Sequence, residues 1–349
     1  MDKLDLWSLN YNELAELLCS WGEPAYRADQ VYDWLYRSLI LSVDDMTNLP
    51  IRLRQRLMGM ATLPSLDVGQ KHYSSDANAV KFLFLAADGQ AIEGVLLKYR
   101  RWFSACLSSQ AGCRMGCAFC ASTLGGLVRN LSVGEMVGQL IYLTREAKRL
   151  GADLRSLVLM GSGEPLDNYE NVLRFLTQVT EPNGFDLSYR RLTLSTCGLV
   201  PEIRRLARER LPLTLAVSLH APTDDLRTEL MPVNRIYPLA ELMIACCQYV
   251  ELTGRRLTFE YVLLARVNDS PYQAHQLAEL IGTLPCHVNI IPFNPVPGSS
   301  FKAPTPDRVR LFYQVLQTRG IPVTVRRELG QDIEAACGQL RHRALKKRT

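Results

Sequence analysis

Three cysteines within eight residues carry the strongest chemical signal in the chain. Cys113, Cys117 and Cys120 form a CxxxCxxC run in a predicted loop, directly after a β-rich stretch at residues 102–107. Thiolates at this spacing can face one inorganic centre, and they are the usual ligands of iron–sulfur clusters. Three protein ligands would leave one iron of a [4Fe-4S] cluster open to bind a substrate. The spacing therefore predicts a [4Fe-4S] site at these cysteines.

Zinc is the other metal that such a run could hold. A structural zinc site takes four ligands in a tetrahedron, and these are usually Cys or His. The residues that follow the run, Ala121, Ser122 and Thr123, offer neither. The run thus favours a cluster over zinc, and it disfavours a third interpretation in which three unrelated cysteines are simply packed in a buried loop.

A second group of candidate residues stands at the ends of predicted strands. Glycines there let the backbone approach a ligand, and a carboxylate such as Glu164 can hold an ammonium group. Serine, histidine and asparagine side chains at such ends can bond to the hydroxyl and carboxylate groups of a ligand. Taken singly, each residue could instead be an ordinary turn or cap. The candidates are Gly163, Glu164, Pro165, Ser195, Ser218, Leu219, His220 and Asn294.

Short β-rich runs alternate with amphipathic helical stretches from about residue 81 onward. This alternation predicts βαβ units around a parallel sheet, and the number of runs suits a partial or full β/α barrel. The active site of such a barrel lies at the carboxyl ends of its strands, where the candidate residues stand. The runs cover residues 80–85, 94–99, 156–160, 192–195, 214–218, 258–263, 288–291 and 323–325, and helices are predicted at 133–148, 171–179 and 239–252.

The front of the chain is predicted to form a small helical accessory module. Apolar residues recur at helical spacing over residues 14–21 and 26–35, and a third helix after Pro50 has Leu53 and Leu57 as its buried side. The arginines of that third helix form either a solvated face or an RNA-facing surface. We therefore divide the chain into a helical module at 1–90, a barrel at 91–330 and a C-terminal segment at 331–349.

Composition excludes several other classes of protein. With 47% apolar and 21% charged residues, the chain is neither disordered nor fibrous. Ten cysteines in 349 residues are too few for a disulfide scaffold. There is no secretory signal at the start and no apolar run of about 20 residues, so we expect a reduced, cytoplasmic protein without a membrane span. The net charge of +5 equals the five bases between Arg341 and Arg348, a tail that is either solvated or attracted to RNA.

The cysteine run and the residues at the strand ends resemble the radical S-adenosylmethionine superfamily, and the match narrows to the RlmN family. One departure is Ser162, where many relatives have methionine. The resemblance implies a radical enzyme that methylates carbon-2 of adenosine in the peptidyl transferase region of 23S rRNA and at position 37 of tRNA. The segments that carry it are residues 26–31, 112–120, 125–131, 163–166, 231–234 and 335–340, the last reading Ala-Ala-Cys-Gly-Gln-Leu.

The resemblance also implies a role for each candidate residue. The cysteine run holds one [4Fe-4S] cluster, and the strand-end residues bind S-adenosylmethionine, of which two molecules are consumed per methylation. Cys337 takes a methyl group from the first molecule. The second is reductively split, and the resulting radical activates the sulfur-bound methyl for addition to carbon-2. Cys106 then removes a proton and forms a disulfide with Cys337 as the methylated base leaves, and Glu93 matches the position of a proton acceptor.

Partners follow from the same resemblance. We expect 23S rRNA and tRNA as substrates, an electron donor such as flavodoxin or ferredoxin, and a monomer. Arg326, Arg327 and the basic tail are candidates for RNA contact, with ordinary surface charge as the alternative. Five further cysteines match no functional position and are interpreted as packing residues: Cys19, Cys197, Cys246, Cys247 and Cys286.

Three alternative functions compete with carbon-2 methylation. A Cfr-type enzyme methylates carbon-8 of the same ribosomal adenosine with the same cluster and cysteines, and Pro165 disfavours it because that family has alanine there. A zinc-stabilised RNA-binding protein without catalysis would leave Cys337 unexplained. A radical activase that acts on a partner protein needs neither Cys106 nor Cys337.

Overall fold

The computed structural model describes residues 3–63, 66–296, 298–327 and 329–335. Two features singled out in the sequence, Cys337 and the basic tail, lie outside the described residues. The described part is a mixed α/β structure in which helices at the front pack against one large sheet. None of the described helices combines the length and the apolar character that a membrane span requires.

Three helices form the predicted front module. The first begins at Asn10, whose side chain accepts a hydrogen bond from the Glu13 N–H while the Glu13 carboxylate accepts one from the Asn10 N–H. This reciprocal cap satisfies donors that the first helical turn leaves without partners. Leu53 and Leu57 are buried on the third helix, as predicted. The helices are α1 (Tyr11–Ser20), α2 (Tyr26–Tyr36) and α3 (Ile51–Met60), and two short strands flank them, β1 (Leu4–Asp5) and β2 (Ala61–Thr62).

The arginines of α3 are partly engaged within the chain. The Arg54 guanidinium donates to the Asp44 carbonyl at 3.2 Å. The Arg56 guanidinium donates to the Trp21 carbonyl at 3.3 Å and lies 4.5 Å from the centre of the Trp21 ring. Arg52 is exposed. Arg54 and Arg56 therefore hold α3 against the residues that precede it.

Among the described residues, ten strands form the central sheet and two more form a separate hairpin. The sheet strands are β3 (Leu66–Tyr73), β4 (Ala79–Ala86), β5 (Ala91–Tyr99), β6 (Trp102–Cys106), β9 (Leu154–Leu159), β10 (Leu192–Thr196), β11 (Thr214–Ser218), β12 (Leu257–Leu263), β13 (Cys286–Pro292) and β14 (Val323–Val325), and the hairpin is β7 (Gln110–Gly112) with β8 (Leu127–Asn130). Strand β6 and strands β9 to β14 run parallel in that order, whereas β5, β4 and β3 extend the sheet beyond β6 in antiparallel fashion.

Helices connect the parallel strands and cover the outer side of the sheet. Each crossover between β6 and β14 contains at least one helix, as parallel pairing requires. Within the described residues the strand order runs from β14 at one edge to β3 at the other, so the sheet is open. The predicted partial β/α barrel is confirmed. Its helices are α4 (Val133–Arg149), α5 (Tyr169–Thr180), α6 (Val200–Glu209), α7 (Asp224–Leu230), α8 (Leu239–Thr253), α9 (Pro271–Ile281) and α10 (Pro306–Thr318).

The structure differs from the sequence prediction at the start of the sheet. The runs at 80–85 and 94–99 are strands, but they pair antiparallel, because the four residues between β4 and β5 are too few for a crossover helix. The sheet begins at Leu66, so the change from helices to sheet falls near residue 63 rather than near residue 90. Trp7 is fully buried against Gly138 of α4, and the helical module shares one core with the sheet.

Candidate functional site

A cavity opens at the carboxyl ends of the parallel strands. It encloses about 940 Å³, part of it open to solvent. Of the predicted strand-end candidates, Leu219 alone does not line the cavity. Leu219 is fully buried, and its N–H donates to the Glu260 carbonyl at 3.1 Å. The predicted residues that the cavity brings together are Cys113, Cys117, Cys120, Gly163, Glu164, Pro165, Ser195, Ser218, His220 and Asn294.

The cysteine loop follows β7 and is fixed by backbone hydrogen bonds. The Cys113 N–H donates to the Gly126 carbonyl at 3.1 Å, and the Ala118 N–H donates to the Leu230 carbonyl at 2.9 Å. Gly116 has φ +70°, a conformation that glycine adopts without a steric penalty. These contacts hold the three thiols on one wall of the cavity.

The three thiols suit a metal cluster electrostatically. Burial raises the pKa of Cys113 to about 12 and the pKa of Cys117 well above its ordinary value. Thiolates here therefore need a positive partner, which iron supplies when a cluster binds. Among the described residues, no three His, Cys, Asp or Glu side chains are arranged to hold a single metal ion. A cubane joins each thiolate to a different iron and does not require that arrangement.

Glu164 is held at the end of β9 by two close glycines. A Cβ on Gly161 would stand 2.7 Å from the Leu107 backbone, and one on Gly163 would stand 2.5 Å from the Gln110 Cβ, so both positions require glycine. The Glu164 carboxylate accepts hydrogen bonds from the Cys197 N–H at 2.7 Å and the Leu166 N–H at 3.0 Å. Burial raises its pKa, and a cationic group in the cavity, such as an amino acid ammonium, would stabilise the ionised form.

His220 enters the cavity as a neutral hydrogen-bond donor. Its Nδ1 accepts from the Val262 N–H at 3.0 Å, so the ring proton resides on Nε2. Burial lowers the pKa of His220 to about 3, which keeps the imidazole uncharged at neutral pH. The residue has φ +58°, and the Asn268 side-chain amide donates to its carbonyl at 2.8 Å.

A buried arginine ties neighbouring strand ends together. Arg227 on α7 is fully buried, and its guanidinium donates to the carbonyls of Cys197 at 2.7 Å, Leu219 at 3.2 Å and Ser218 at 3.2 Å, and to the Asn234 Oδ1 at 2.9 Å. These bonds fix the ends of β10 and β11 relative to each other. The sequence prediction missed Arg227, although Asn234 lies in the singled-out segment 231–234.

Glu260 lines the cavity and was missed by the sequence prediction, whereas Arg326 lines the cavity but was predicted for another role. Glu260 is a buried carboxylate on β12 that accepts from the Asn289 side-chain amide at 2.9 Å, and burial raises its pKa. The one acidic residue in the mostly apolar run at 258–263 was the sequence signal that could have pointed to Glu260. Arg326, expected as an RNA contact, lines the cavity and lies 3.8 Å from the Met160 sulfur, whereas Arg327 is exposed.

Cys106 lies beside the cavity, in a separate apolar cluster. This cluster, called here the Cys106 cluster, contains Ala79, Val95, Leu97, Cys106 and Ala335, with Met160 packed against it. Met160 also lines the cavity, so it contacts both the Cys106 cluster and the cavity. Ala335, the last described residue, precedes Cys337 by two positions.

Glu93 lies on β5 and is buried. Its carboxylate forms an ion pair with the Lys81 ammonium at 2.9 Å, and its carbonyl accepts from the Ser108 hydroxyl at 2.7 Å. Glu93 and Val95 of the Cys106 cluster stand on the same face of the sheet, because they are two residues apart on one strand.

Comparisons with known proteins show which proteins this chain is similar to. The family model "Ribosomal RNA large subunit methyltransferase N-terminal domain" matches residues 4–63, and the model "Radical SAM superfamily" matches residues 107–277. A relative from Pelotomaculum thermopropionicum, named "Probable dual-specificity RNA methyltransferase RlmN", is 52% identical over 98% of this chain and 92% of its own length. One of the same name from Symbiobacterium thermophilum is 49% identical over 97% of this chain and 91% of its own length.

A solved structure gives the same result. The crystal structure of a radical SAM methyltransferase from Sphaerobacter thermophilus matches with a TM-score of 0.95 and 48% identity, over 97% of this chain and 99% of that one. The fold of this chain is therefore shared with an enzyme of this class.

Proposed function

The chain belongs to the RlmN family of radical S-adenosylmethionine RNA methyltransferases, and we propose that it methylates carbon-2 of adenosine in 23S rRNA and at position 37 of tRNA. The family implies a [4Fe-4S] cluster and S-adenosylmethionine. Cys113, Cys117 and Cys120 would hold the cluster, and Glu164, Ser195, Ser218, His220 and Asn294 would bind S-adenosylmethionine. When bound, the cluster supplies the electron that splits S-adenosylmethionine and creates a carbon radical.

The chemistry of the substrate carbon supports a radical route. Carbon-2 of adenine lies between two ring nitrogens and is electron-poor, so an electrophilic methyl group does not transfer to it directly. A thiolate is a good acceptor of that methyl group. In the proposed sequence Cys337 receives the methyl from one S-adenosylmethionine, and a second molecule provides the radical that activates it. Two molecules are thus consumed per methylation.

The observation that carries this proposal is the packing of Ala335 in the Cys106 cluster. Ala335 is the last described residue of the segment that leads to Cys337, so this segment reaches the immediate surroundings of Cys106. Cys106 is buried, and Met160 both packs against its cluster and lines the cavity. This arrangement supports the proposed release step, in which Cys106 takes the carbon-2 proton and then joins Cys337 in a disulfide as the methylated base leaves.

Glu93 is proposed as a proton acceptor beside this centre. Its carboxylate, which pairs with the Lys81 ammonium at 2.9 Å, is the group that would accept the proton. It lies on the same sheet face as the Cys106 cluster. The adenosine must leave its stack to reach this place, and Arg326 is a cation near the cavity that can contact it.

Further properties are proposed from the family alone. A flavodoxin or ferredoxin would deliver the electron, the protein would act as a monomer, and it would work in the cytoplasm. A carbon-8 methyltransferase would use the same cluster and the same two cysteines, so the product decides between the two positions.

The test is product analysis. Anaerobically reconstituted enzyme is incubated separately with 23S rRNA and with tRNA, and the digested nucleosides are compared by mass spectrometry with 2-methyladenosine and 8-methyladenosine standards. We expect 2-methyladenosine from both RNAs. A carbon-8 product would overturn the proposal, and a product from one RNA alone would remove the dual specificity. A colourless protein without iron and sulfide would favour the zinc interpretation.

A further inference from the structure

We propose that Lys81 is a positioning residue that joins Glu93 to the segment carrying Cys337, so that one ammonium group orients both the proton acceptor and the methyl carrier. The inference rests on the proposed function, because it assigns Lys81 a part in that reaction.

The register of the sheet brings Lys81 to this place. Lys81 on β4 pairs with Val95 on β5, and Val95 pairs on its other side with Cys106 on β6. Residues in one such row point to the same face of a sheet. Glu93 pairs with Leu83, so it is the diagonal neighbour of Lys81, within reach of a long side chain. Lys81, Glu93 and Cys106 therefore share one face.

The Lys81 ammonium makes two contacts that belong to different parts of the site. It lies 2.9 Å from the Glu93 Oε1, and it donates to the Glu334 carbonyl at 3.2 Å. The side chains of Lys81 and Glu93 are 9% and 6% exposed, so the pair is nearly dry. Buried charges at this depth depend on each other, because either one alone would be poorly solvated. Glu334 is three residues before Cys337.

Two further hydrogen bonds hold the segment 329–335 in place. The Ser75 N–H donates to the Asp332 carboxylate at 2.7 Å, and the Gln331 side-chain amide donates to the Asn294 Oδ1 at 2.9 Å. The segment therefore touches the β3–β4 turn at one place and a predicted cofactor-binding residue at another. Lys81 adds a hydrogen bond to the backbone of Glu334, three residues before Cys337.

This geometry separates a positioning role from simple stabilisation. Loss of the Lys81 ammonium removes its contacts with Glu93 and with the Glu334 carbonyl. It leaves the cysteine loop and the cavity wall at Glu164 unchanged. We therefore expect Lys81→Met to keep its cluster and its binding of S-adenosylmethionine, while the rate of RNA methylation falls about tenfold or more. Lys81→Arg keeps the charge and a donor, so it should recover part of that rate.

The experiment measures three quantities on the reconstituted full chain: iron and sulfide content, the single-turnover rate of RNA methylation, and hydrogen exchange over residues 329–335. Lys71→Met is the matched control, because Lys71 on the neighbouring strand β3 also pairs with a buried carboxylate, that of Glu146 on α4, at 3.0 Å. Lys81→Met should exchange faster over 329–335 and react more slowly than Lys71→Met, at equal cluster content.

The outcomes distinguish the inference from the function on which it rests. Wild-type enzyme that does not methylate RNA would contradict the proposed function. Active wild-type enzyme with a Lys81→Met variant that matches Lys71→Met in rate and exchange would overturn the inference alone. If Lys81→Met does not fold, the double variant Lys81→Met/Glu93→Gln removes the stranded charge, and hydrogen exchange over residues 329–335 is compared between the double variant and Glu93→Gln. Faster exchange in the double variant is the expected result, because only it lacks the donor to the Glu334 carbonyl. Equal exchange in the two variants would also overturn the inference.

Discussion

The backbone of Gly330 lies directly against the side chain of Ala79. A Cβ added to Gly330 would stand 2.7 Å from the Ala79 Cβ, and Gly330 has φ +69°. The segment that leads to Cys337 thus docks on β4 through a contact that only glycine permits. Gly330→Ala should displace the segment, because it adds a steric clash to the penalty of about 1–2 kcal/mol for a left-handed backbone conformation. We expect RNA methylation to fall about tenfold with unchanged cluster content.

The control for this prediction is a compensating change. Ala79→Gly removes the atom with which the new Cβ collides, so Gly330→Ala/Ala79→Gly should regain part of the lost rate. Methylation is measured by incorporation of a labelled methyl group into RNA under single-turnover conditions. A Gly330→Ala variant as fast as the wild type would contradict the docking described here.

The cysteine loop offers a direct test of the cluster site. Replacing Cys113, Cys117 or Cys120 by alanine should abolish cluster binding and all turnover, because three thiolates must coordinate the iron. Iron and sulfide are quantified after anaerobic reconstitution. Cys247→Ala is the matched control, since Cys247 is exposed on α8 and away from the cavity. Full iron content in any of the three loop variants would be incompatible with the assigned ligands.

Arg227 should contribute to both stability and cofactor binding. Arg227→Met leaves three buried carbonyls and the Asn234 side chain without their donor, which should cost about 3 kcal/mol or more. Lysine should not rescue it, because an ammonium lacks the planar fork of a guanidinium. Thermal unfolding measures the effect, with Arg310→Met on the exposed face of α10 as the control. Equal midpoints for the two methionine variants would refute this role.

His220 predicts a pH dependence of stability. In the unfolded chain this imidazole is protonated below about pH 6.5. In the folded protein, burial lowers its pKa to about 3. Since the folded pKa is lowered, the stability from this group is complete above the unfolded value and is lost as pH falls below it. Asparagine tolerates the positive φ at this position, so His220→Asn is the suitable variant.

The measurement compares unfolding midpoints of the cluster-free proteins. Between about pH 7.5 and about pH 5.5, the wild type should lose more stability than His220→Asn, by about 1.4 kcal/mol for each pH unit below 6.5. Parallel losses in the two proteins would show that His220 is not held neutral by the fold.

Much of the site could be predicted from sequence because its residues follow recognisable patterns. The cysteine run is local, and the carboxyl ends of parallel strands meet at one edge of a sheet, so Glu164 and His220 could be placed together without coordinates. Strand direction could not be predicted, since the period of a strand does not reveal how it pairs. That is why β4 and β5 were expected in a parallel sheet.

The residues that sequence reasoning missed act through distant partners. Arg227 resembles an ordinary charge on a short helix, and its burial depends on carbonyls from two strands. Lys81 and Glu93 are twelve residues apart, and their contact exists only in one register of the β4–β5 hairpin. Leu219 was expected among the cofactor-binding residues from its place after β11, yet its side chain points into the core.

The most direct test of the proposed chemistry is the fate of the RNA in a Cys106→Ala variant. This variant keeps Cys337 but lacks the thiol that releases the product, so a covalent protein–RNA adduct should accumulate and appear as a shifted band. Digestion should yield a peptide covering residues 335–340 in which the Cys337 sulfur is joined to adenosine through one carbon. The same band should be missing from Cys106→Ala/Cys337→Ala. Free methylated RNA from repeated turnovers of Cys106→Ala would contradict the mechanism.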